Sequence, residues 1–350
     1  MTAINDACAE TLLRDLVTIP SPSGDEAEAA AFLADWMRAS GYADAFVDEA
    51  GNAVGIVGSG SREVVLLGHI DTFAGFPSVQ IEGRKLYGRG AVDAKGPLCA
   101  FACAAQRAEL ADDVRVVVIG AVEEEAATSR GARHALNQYQ PDFCVIGEPS
   151  QWDRITLGYK GRLLLDWRWE GGLAHSAADA PSPAERALEY WQAVFARCAD
   201  YNQNTDSLFG RLDASLRDIN TWQDGVNGVA EMTVGLRLPP DIDPESLSAQ
   251  FAEADGAMVT ARGAERAFTG DRNSELSRLF RRAIRAASGV PRFVYKTGTS
   301  DMNVVGPVWQ CPILAYGPGD SALDHTPQEH IDLDEYLRAL DVLTHVLESI

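Results

Sequence analysis

Glu63-Val64-Val65-Leu66-Leu67-Gly68-His69-Ile70-Asp71 is the stretch on which the fold turns. An apolar run without polar alternation reads as a strand buried on both faces, and such strands belong to parallel sheets covered by helices. It delivers His69 and Asp71, two residues apart and so on one face, to its carboxyl end. That end is where open α/β sheets bind ligands.

Outward from this strand the elements alternate. Helical spacing covers Ala7–Val17 and Gly24–Ser40, the second following the breaker cluster Pro20-Ser21-Pro22-Ser23-Gly24. Gly96–Leu110 reads as helix, Val114–Val122 as a buried strand, Ser129–Gln138 as helix and Phe143–Gly147 as a third strand. The texture then changes. Leu163–Trp169 and Glu231–Leu238 alternate with period two, around a helix at about Pro183–Asp200 and before another at Pro244–Ala254. Helix Ser274–Ala287, strand Pro312–Tyr316 and helix Asp334–Leu347 resume the first texture. The expected architecture is a discontinuous α/β/α domain, residues 1–162 and 269–350, interrupted by an α+β insertion at 163–268.

The composition excludes several classes. Lys plus Arg less Asp plus Glu is 30 − 51 = −21, a field that repels nucleic acid and anionic membrane surfaces. The longest apolar runs fall far short of the roughly 20 residues of a membrane helix. The first ten residues carry Asp6 and Glu10 rather than a basic-then-apolar secretory signal, so the expected compartment is the cytoplasm. The six cysteines are scattered without a C-x-x-C pair and read as buried thiols.

Each apolar strand ends in an acid or an imidazole. His69 and Asp71 follow the first, Glu123-Glu124-Glu125 the second, Glu148 the third, and Asp324-His325-Thr326 the last, while Asp93 sits in the loop Gly88–Gly96. Such ends converging on one rim would be unpaired buried charge unless cations neutralised them. Two His and three or more carboxylates without Cys suit divalent first-row metals, above all zinc, with cobalt or manganese as substitutes. One carboxylate shared between two ions gives a two-metal hydrolase.

These residues carry a resemblance to the M20 family of dinuclear-zinc metallopeptidases and deacylases. Its carriers are Gly68-His69-Ile70-Asp71-Thr72, Gly88-Arg89-Gly90 through Asp93-Ala94-Lys95-Gly96, Glu123–Glu125, Gly147-Glu148-Pro149, Gly172-Leu173-Ala174-His175-Ser176 and Asp324-His325-Thr326-Pro327. The resemblance implies a zinc-peptidase-type catalytic domain with a ferredoxin-like dimerisation lid. It implies His69 and Glu148 on one metal, Glu125 and His325 on the other, Asp93 as bridge, and Asp71 orienting the His69 ring. The family's Asp-Glu-Glu aligns with Glu123–Glu125 so that Glu124 is the general base; a shift by one, making Glu123 the base and Glu124 the ligand, stays open. In the lid, His175 resembles the histidine that reaches the partner subunit's active site, and Asn227 and Arg237 the residues that grip the substrate carboxylate. Asn227 departs from the usual pattern in being followed by Gly228-Val229-Ala230. A homodimer is expected, with Leu163–Trp169 as the apolar strand offered for pairing.

Within the family, Glu123–Ala132, Ile155–Gly161, Tyr295–Asn303 and Tyr316–Ser321 look most like the hydrolase that releases lysine, in some relatives ornithine, from a small acidic amino-group carrier protein. The alternative is a deacetylase of free N-acetylornithine or N-acetyllysine. Between Arg84 and Arg168, twelve Lys plus Arg less eleven Asp plus Glu gives +1, which suggests a locally basic rim for an acidic carrier.

Overall fold

A computed structural model describes residues 4–175, 180–252 and 256–350. The chain forms two compact units. One comprises the chain up to Gly158 with Gly270–Tyr295 and Ser300–Ile350; the other comprises Tyr159–Thr269 with Lys296–Thr299, a short segment that the sequence reading assigned to the first.

In chain order the first unit opens with α1 (Asp6–Thr18), α2 (Ala27–Ala39), β1 (Asp44–Val47), β2 (Ala53–Gly58), β3 (Arg62–His69), β4 (Gln80–Glu82) and β5 (Lys85–Tyr87). It continues through α3 (Lys95–Arg107), β6 (Val114–Ala121), α4 (Arg130–Gln138), β7 (Phe143–Gly147) and β8 (Arg154–Tyr159). The second unit holds β9 (Gly161–Gly172), α5 (Pro183–Tyr201), β10 (Asp213–Gln223), β11 (Asn227–Leu238), α6 (Pro244–Phe251), β12 (Met258–Glu265) and β13 (Phe268–Thr269). The first resumes with α7 (Glu275–Ala286), β14 (Arg292–Lys296), α8 (Asp301–Trp309), β15 (Ile313–Tyr316), β16 (His330–Asp332) and α9 (Leu333–Leu347).

The main sheet runs β1-β2-β6-β3-β7-β15-β8, with β14 on β8. Its centre, β6-β3-β7-β15, is parallel, so all four carboxyl ends face the same rim. The continuous burial of Val64–His69 and Val116–Ala121 is what strands covered on both faces require.

One row of residues sets how closely α3 approaches that rim. Gly120, Gly68 and Gly147 are register partners across β6, β3 and β7; Gly68 and Gly147 stand one step before His69 and Glu148, and Gly120 three before the acidic run at Glu123. Leu98 of α3 packs over Gly68 and Gly120, and Phe101 over Gly147. The helix therefore seats directly on backbone and brings the Asp93 loop, at its amino end, down to the strand ends. Lys95 turns the other way, fully buried, donating to the carbonyls of Leu16 (3.1 Å) and Ile19 (2.6 Å).

In the second unit an antiparallel sheet, β10-β11-β9-β12, is covered on one face by α5 and α6. Alternate residues Leu163, Leu165 and Trp167 of β9 and Ala230, Met232, Val234 and Leu236 of β11 meet Tyr190 and Val194 of α5 and Leu247 and Phe251 of α6. A capping box between Ser182 and Glu185 starts α5.

Three expectations change. Leu163–Trp169 does not offer a free edge for pairing between copies, because β9 lies inside the sheet, bonded to β11 on one side and β12 on the other; the edges are β10 and β12. The locally basic stretch is partly taken up inside the fold: Arg84 binds Glu10 and Asp334, Arg107 binds Asp6 and Asp341, and Arg89, Lys95 and Lys160 are buried. Of the cysteines, four are buried, but Cys8 is exposed and Cys311 half-buried; all are free thiols.

A methyl at Gly147 would lie 2.9 Å from both Gly68 Cα and Phe101 Cε2. Gly147→Ala should therefore cost about 1–3 kcal/mol, the usual size of overpacking, whereas Gly172→Ala meets nothing within 4 Å and should be nearly silent. Thermal unfolding of the two variants checks the difference; equal midpoints would mean that the glycine row is not needed.

Candidate metal centre

The rim gathers seven of the residues singled out in the sequence: His69, Asp71, Asp93, Glu124, Glu125, Glu148 and His325. They form two donor groups, His69 with Glu124 and Glu148, and Asp93 with Glu125 and His325, and within each group the donor atoms lie within 4.8 Å of one another. Asp93 faces both. Its Oδ1 is 3.2 Å from His69 Nε2 and its Oδ2 is 3.1 Å from His325 Nε2, while Glu125 Oε1 is 2.7 Å from the same His325 nitrogen. Nitrogen and oxygen donors without sulfur, with one carboxylate turned to each side, fit a pair of divalent cations.

Backbone geometry fixes the acidic run. The Asp71 carboxylate accepts the N–H of Glu124 through Oδ1 and of Glu125 through Oδ2, both at 3.0 Å, and the Ser23 hydroxyl at 2.7 Å. The nearest partner of His69 Nδ1 is the Asp71 carbonyl at 2.9 Å, with the carboxylate Oδ1 at 3.4 Å. Asp71 thus steadies the loop that follows β6 as well as the His69 ring. Glu123 points elsewhere. Its backbone is left-handed, φ 59°, its N–H donates to Glu26, and its carboxylate accepts from Thr128 Oγ1 (2.6 Å) and pairs with Arg130 Nε (2.8 Å).

Crowding of these groups distorts their titration. Burial pushes the Glu148 carboxyl up to about 8, partly opposed by His69 and reinforced by Asp93. Burial likewise raises Glu124 well above its usual range, against the pull of His69. Hydrogen bonds to Asp93 and Glu125 raise His325 to about 10. Asp93 is pushed up by burial yet held well below the usual carboxylate range by His325 and His69. Imidazoles held charged among buried carboxylates supply positive charge where the acids crowd, the kind of electrostatic setting that a divalent cation would also satisfy.

The remaining sequence candidates lie in the second unit. His175 is exposed just past β9, and Ser176 falls outside the described residues. Asn227 opens β11 opposite Gly172, whereas Arg237 lies near its other end opposite Arg162 and donates from Nη1 to Thr299 Oγ1 at 2.8 Å. Sequence reasoning missed Ser23, Glu26, Phe73, whose ring stacks on His325 at 4.6 Å, and the buried pair of Arg89 with Glu329. Arg89 stood inside a quoted glycine motif, and Glu329 lies four residues after His325; extending those two motifs was the available signal.

A doubly covered parallel sheet whose rim carries two groups of metal-capable donors is an arrangement suited to a metal-dependent hydrolase. The chain belongs to the Peptidase family M20/M25/M40, whose model matches residues 65–349. It is 49% identical to the LysW-lysine hydrolase of Deinococcus radiodurans, covering 99% of this chain and 98% of that one. It is 28% identical to the LysW-lysine/LysW-ornithine hydrolase of Saccharolobus islandicus, over 93% and 91% of the two chains. Among solved structures, the M20 family metallo-carboxypeptidase Sso-CP2 of Sulfolobus solfataricus superposes with a TM-score of 0.79 at 18% identity, covering 97% and 98%. The YXEP protein of Bacillus subtilis, a dinuclear metal binding peptidase of the M20 family, gives 0.71 at 12%, covering 98% of each chain. Among the described residues no helix is long and apolar enough to cross a membrane.

Without cations, Glu148 and His325 are protonated at pH 7, because their values of about 8 and about 10 lie above it. Donors must lose those protons, and those that His69 and Glu124 also hold, so zinc added at pH 7 should release at least about one proton per ion, and affinity should climb as pH rises from 7 toward 10. Calorimetry in buffers of different ionisation heat measures this; uptake without proton release would remove both groups from the donor set.

Proposed function

We propose that this chain hydrolyses the amide that joins lysine to the carrier protein LysW, releasing free lysine, with LysW-bound ornithine as a second substrate. The observation that carries the reading is 49% identity with a LysW-lysine hydrolase across almost the whole of both chains. Under this reading the enzyme works in the cytoplasm as a step of lysine or arginine biosynthesis and meets the acidic carrier as a protein partner.

Two divalent ions, zinc by the chemistry of the donors, would be held by His69 with Glu148 and by Glu125 with His325, with Asp93 between them. When bound, such a pair supplies Lewis acidity that polarises the amide carbonyl and acidifies the attacking water. Glu124, close to His69 and Glu148, ionises beside two cations and takes the proton of that water as its oxygen adds to the carbonyl carbon. The same carboxyl then hands the proton to the nitrogen as the carbon–nitrogen bond breaks, so that lysine leaves as a free amine. The pairing of Glu123 with Arg130 and Thr128 supports this register over its shifted alternative.

The lid residues favour a homodimer. Asn227 and Arg237 are ten residues apart on one strand, roughly 33 Å at 3.3 Å per residue, so one copy cannot bring both to a single substrate carboxylate. Leu173 bonds to Val226, so His175 belongs to the Asn227 end. A complete site then takes Arg237 from one subunit and His175 with Asn227 from the other.

Turnover of LysW-bound lysine should greatly exceed that of N-acetyllysine or N-acetylornithine; the reverse preference would make the chain a small-molecule deacetylase on the same site. Glu124→Gln should keep both metals and lose roughly 10²–10⁴-fold or more in rate, while Glu125→Gln should shed metal; the opposite pattern, read by elemental analysis, would shift the register.

His175→Ala and Arg237→Ala should each be nearly inactive alone. Mixed and allowed to exchange subunits, they should recover about a quarter of wild-type activity, because half of the dimers are mixed and one site in each is whole. No recovery despite demonstrated exchange would show that both residues serve the site of their own chain.

A further inference from the structure

Arg89 and Glu329 are a fully enclosed ion pair at the back of the metal centre, 7% and 1% exposed, joined by Nη1 and Oε2 at 2.6 Å. A buried pair of this kind is weak evidence for stability, since desolvation offsets most of the attraction. What its remaining atoms hold is more telling. Glu329 Oε1 accepts the N–H groups of Val92 (3.1 Å) and Asp93 (3.2 Å). Arg89 donates to the carbonyls of Gly75 (3.2 Å), His325 (3.4 Å) and Thr326 (3.5 Å). The Gly88 N–H also donates to the Glu329 carbonyl at 3.2 Å.

Four of these bonds, to the N–H groups of Val92 and Asp93 and to the carbonyls of His325 and Thr326, end on backbone that carries or adjoins a donor of the Asp93, Glu125 and His325 group. Asp93 and His325 are more than two hundred residues apart in sequence, and His325 sits in the left-handed region at φ 60°, a conformation that a residue with a Cβ keeps only when its surroundings enforce it. The guanidinium is the group that grips its carbonyl, and the planar fork can do so while binding a carboxylate and a second loop.

We propose that Arg89 and Glu329 are a positioning pair that sets the metal position on the His325 side by locking the Asp93 and His325 loops together. The inference rests on reading the two donor groups as metal positions. The position built on His69 and Glu148 depends less on this lock, because those two donors are carried by the ends of β3 and β7 and only Asp93 is shared with the locked loops.

The test is zinc and cobalt titration of the ion-free full-length protein. Arg89→Met with Glu329→Gln removes both charges together, which usually leaves folding near neutral, and keeps an amide oxygen for the Val92 and Asp93 N–H groups. We expect one metal position to weaken ten- to hundredfold, the usual range for groups that orient ligands, the other to change by less than about threefold, and the visible spectrum of bound cobalt to alter. In a His325→Ala background the double change should weaken that position no further. Should the double variant fail to fold, Arg89→Lys, which keeps the charge but lacks the fork, carries the same measurement with the same expected direction. Two unaltered positions, or an equal loss at both, would overturn the positioning role. A wild-type chain that binds no metal would instead defeat the reading of the site itself.

Discussion

The structure depends on one electrostatic constraint: a parallel sheet points the carboxyl ends of its central strands at a single rim, and here those ends carry Asp71, Glu124, Glu125, Glu148 and His69, with Asp93 and His325 brought in on loops. Carboxylates gathered in that way cannot all stay ionised out of water. In the ion-free chain the strain shows as carboxyls pushed upward beside imidazoles pushed upward, each holding protons that a cation would displace. Much of the surrounding architecture serves to keep the crowd in place. The glycine row lets α3 press the Asp93 loop onto the rim, Asp71 pins the two acids after β6, and the pair of Arg89 with Glu329 ties the loops of Asp93 and His325.

The second unit answers a different demand. An amide hydrolase needs charge stabilisation on the developing oxyanion and a grip on the substrate as well as metals. Its sheet holds Arg237 at one end and Asn227 with His175 at the other, a separation fixed by an unbroken antiparallel strand. Rigid strands cannot fold those residues together, so under the proposed dimer the completion of a site from two copies would follow from strand length rather than from a flexible loop.

Much of this was legible because the signals are local. Unbroken apolar runs such as Val64–Leu67 and Val116–Ile119 announce strands covered on both faces, and an acidic or imidazole residue within four positions of each announces the rim. Spaced motifs carried the donor residues. What stayed hidden is what depends on partners remote in sequence. The alternation of Leu163–Trp169 reveals which face is buried but not which strands lie on either side, so in sequence this interior strand looks like one free to pair. Net charge along Arg84–Arg168 says nothing about Glu10, Asp334 or Asp341, which consume its arginines. Glu329 looks like any surface acid in a loop until the fold places Arg89 beside it.

The central claim is that Asp93 stands between two metal ions. Anomalous diffraction at the zinc edge, from crystals grown with zinc, tests it most directly. The account predicts two peaks roughly 3.5–4 Å apart, one bounded by His69 and Glu148 and the other by Glu125 and His325, with an Asp93 carboxylate oxygen on each. A single peak, or two that do not share Asp93, would contradict it.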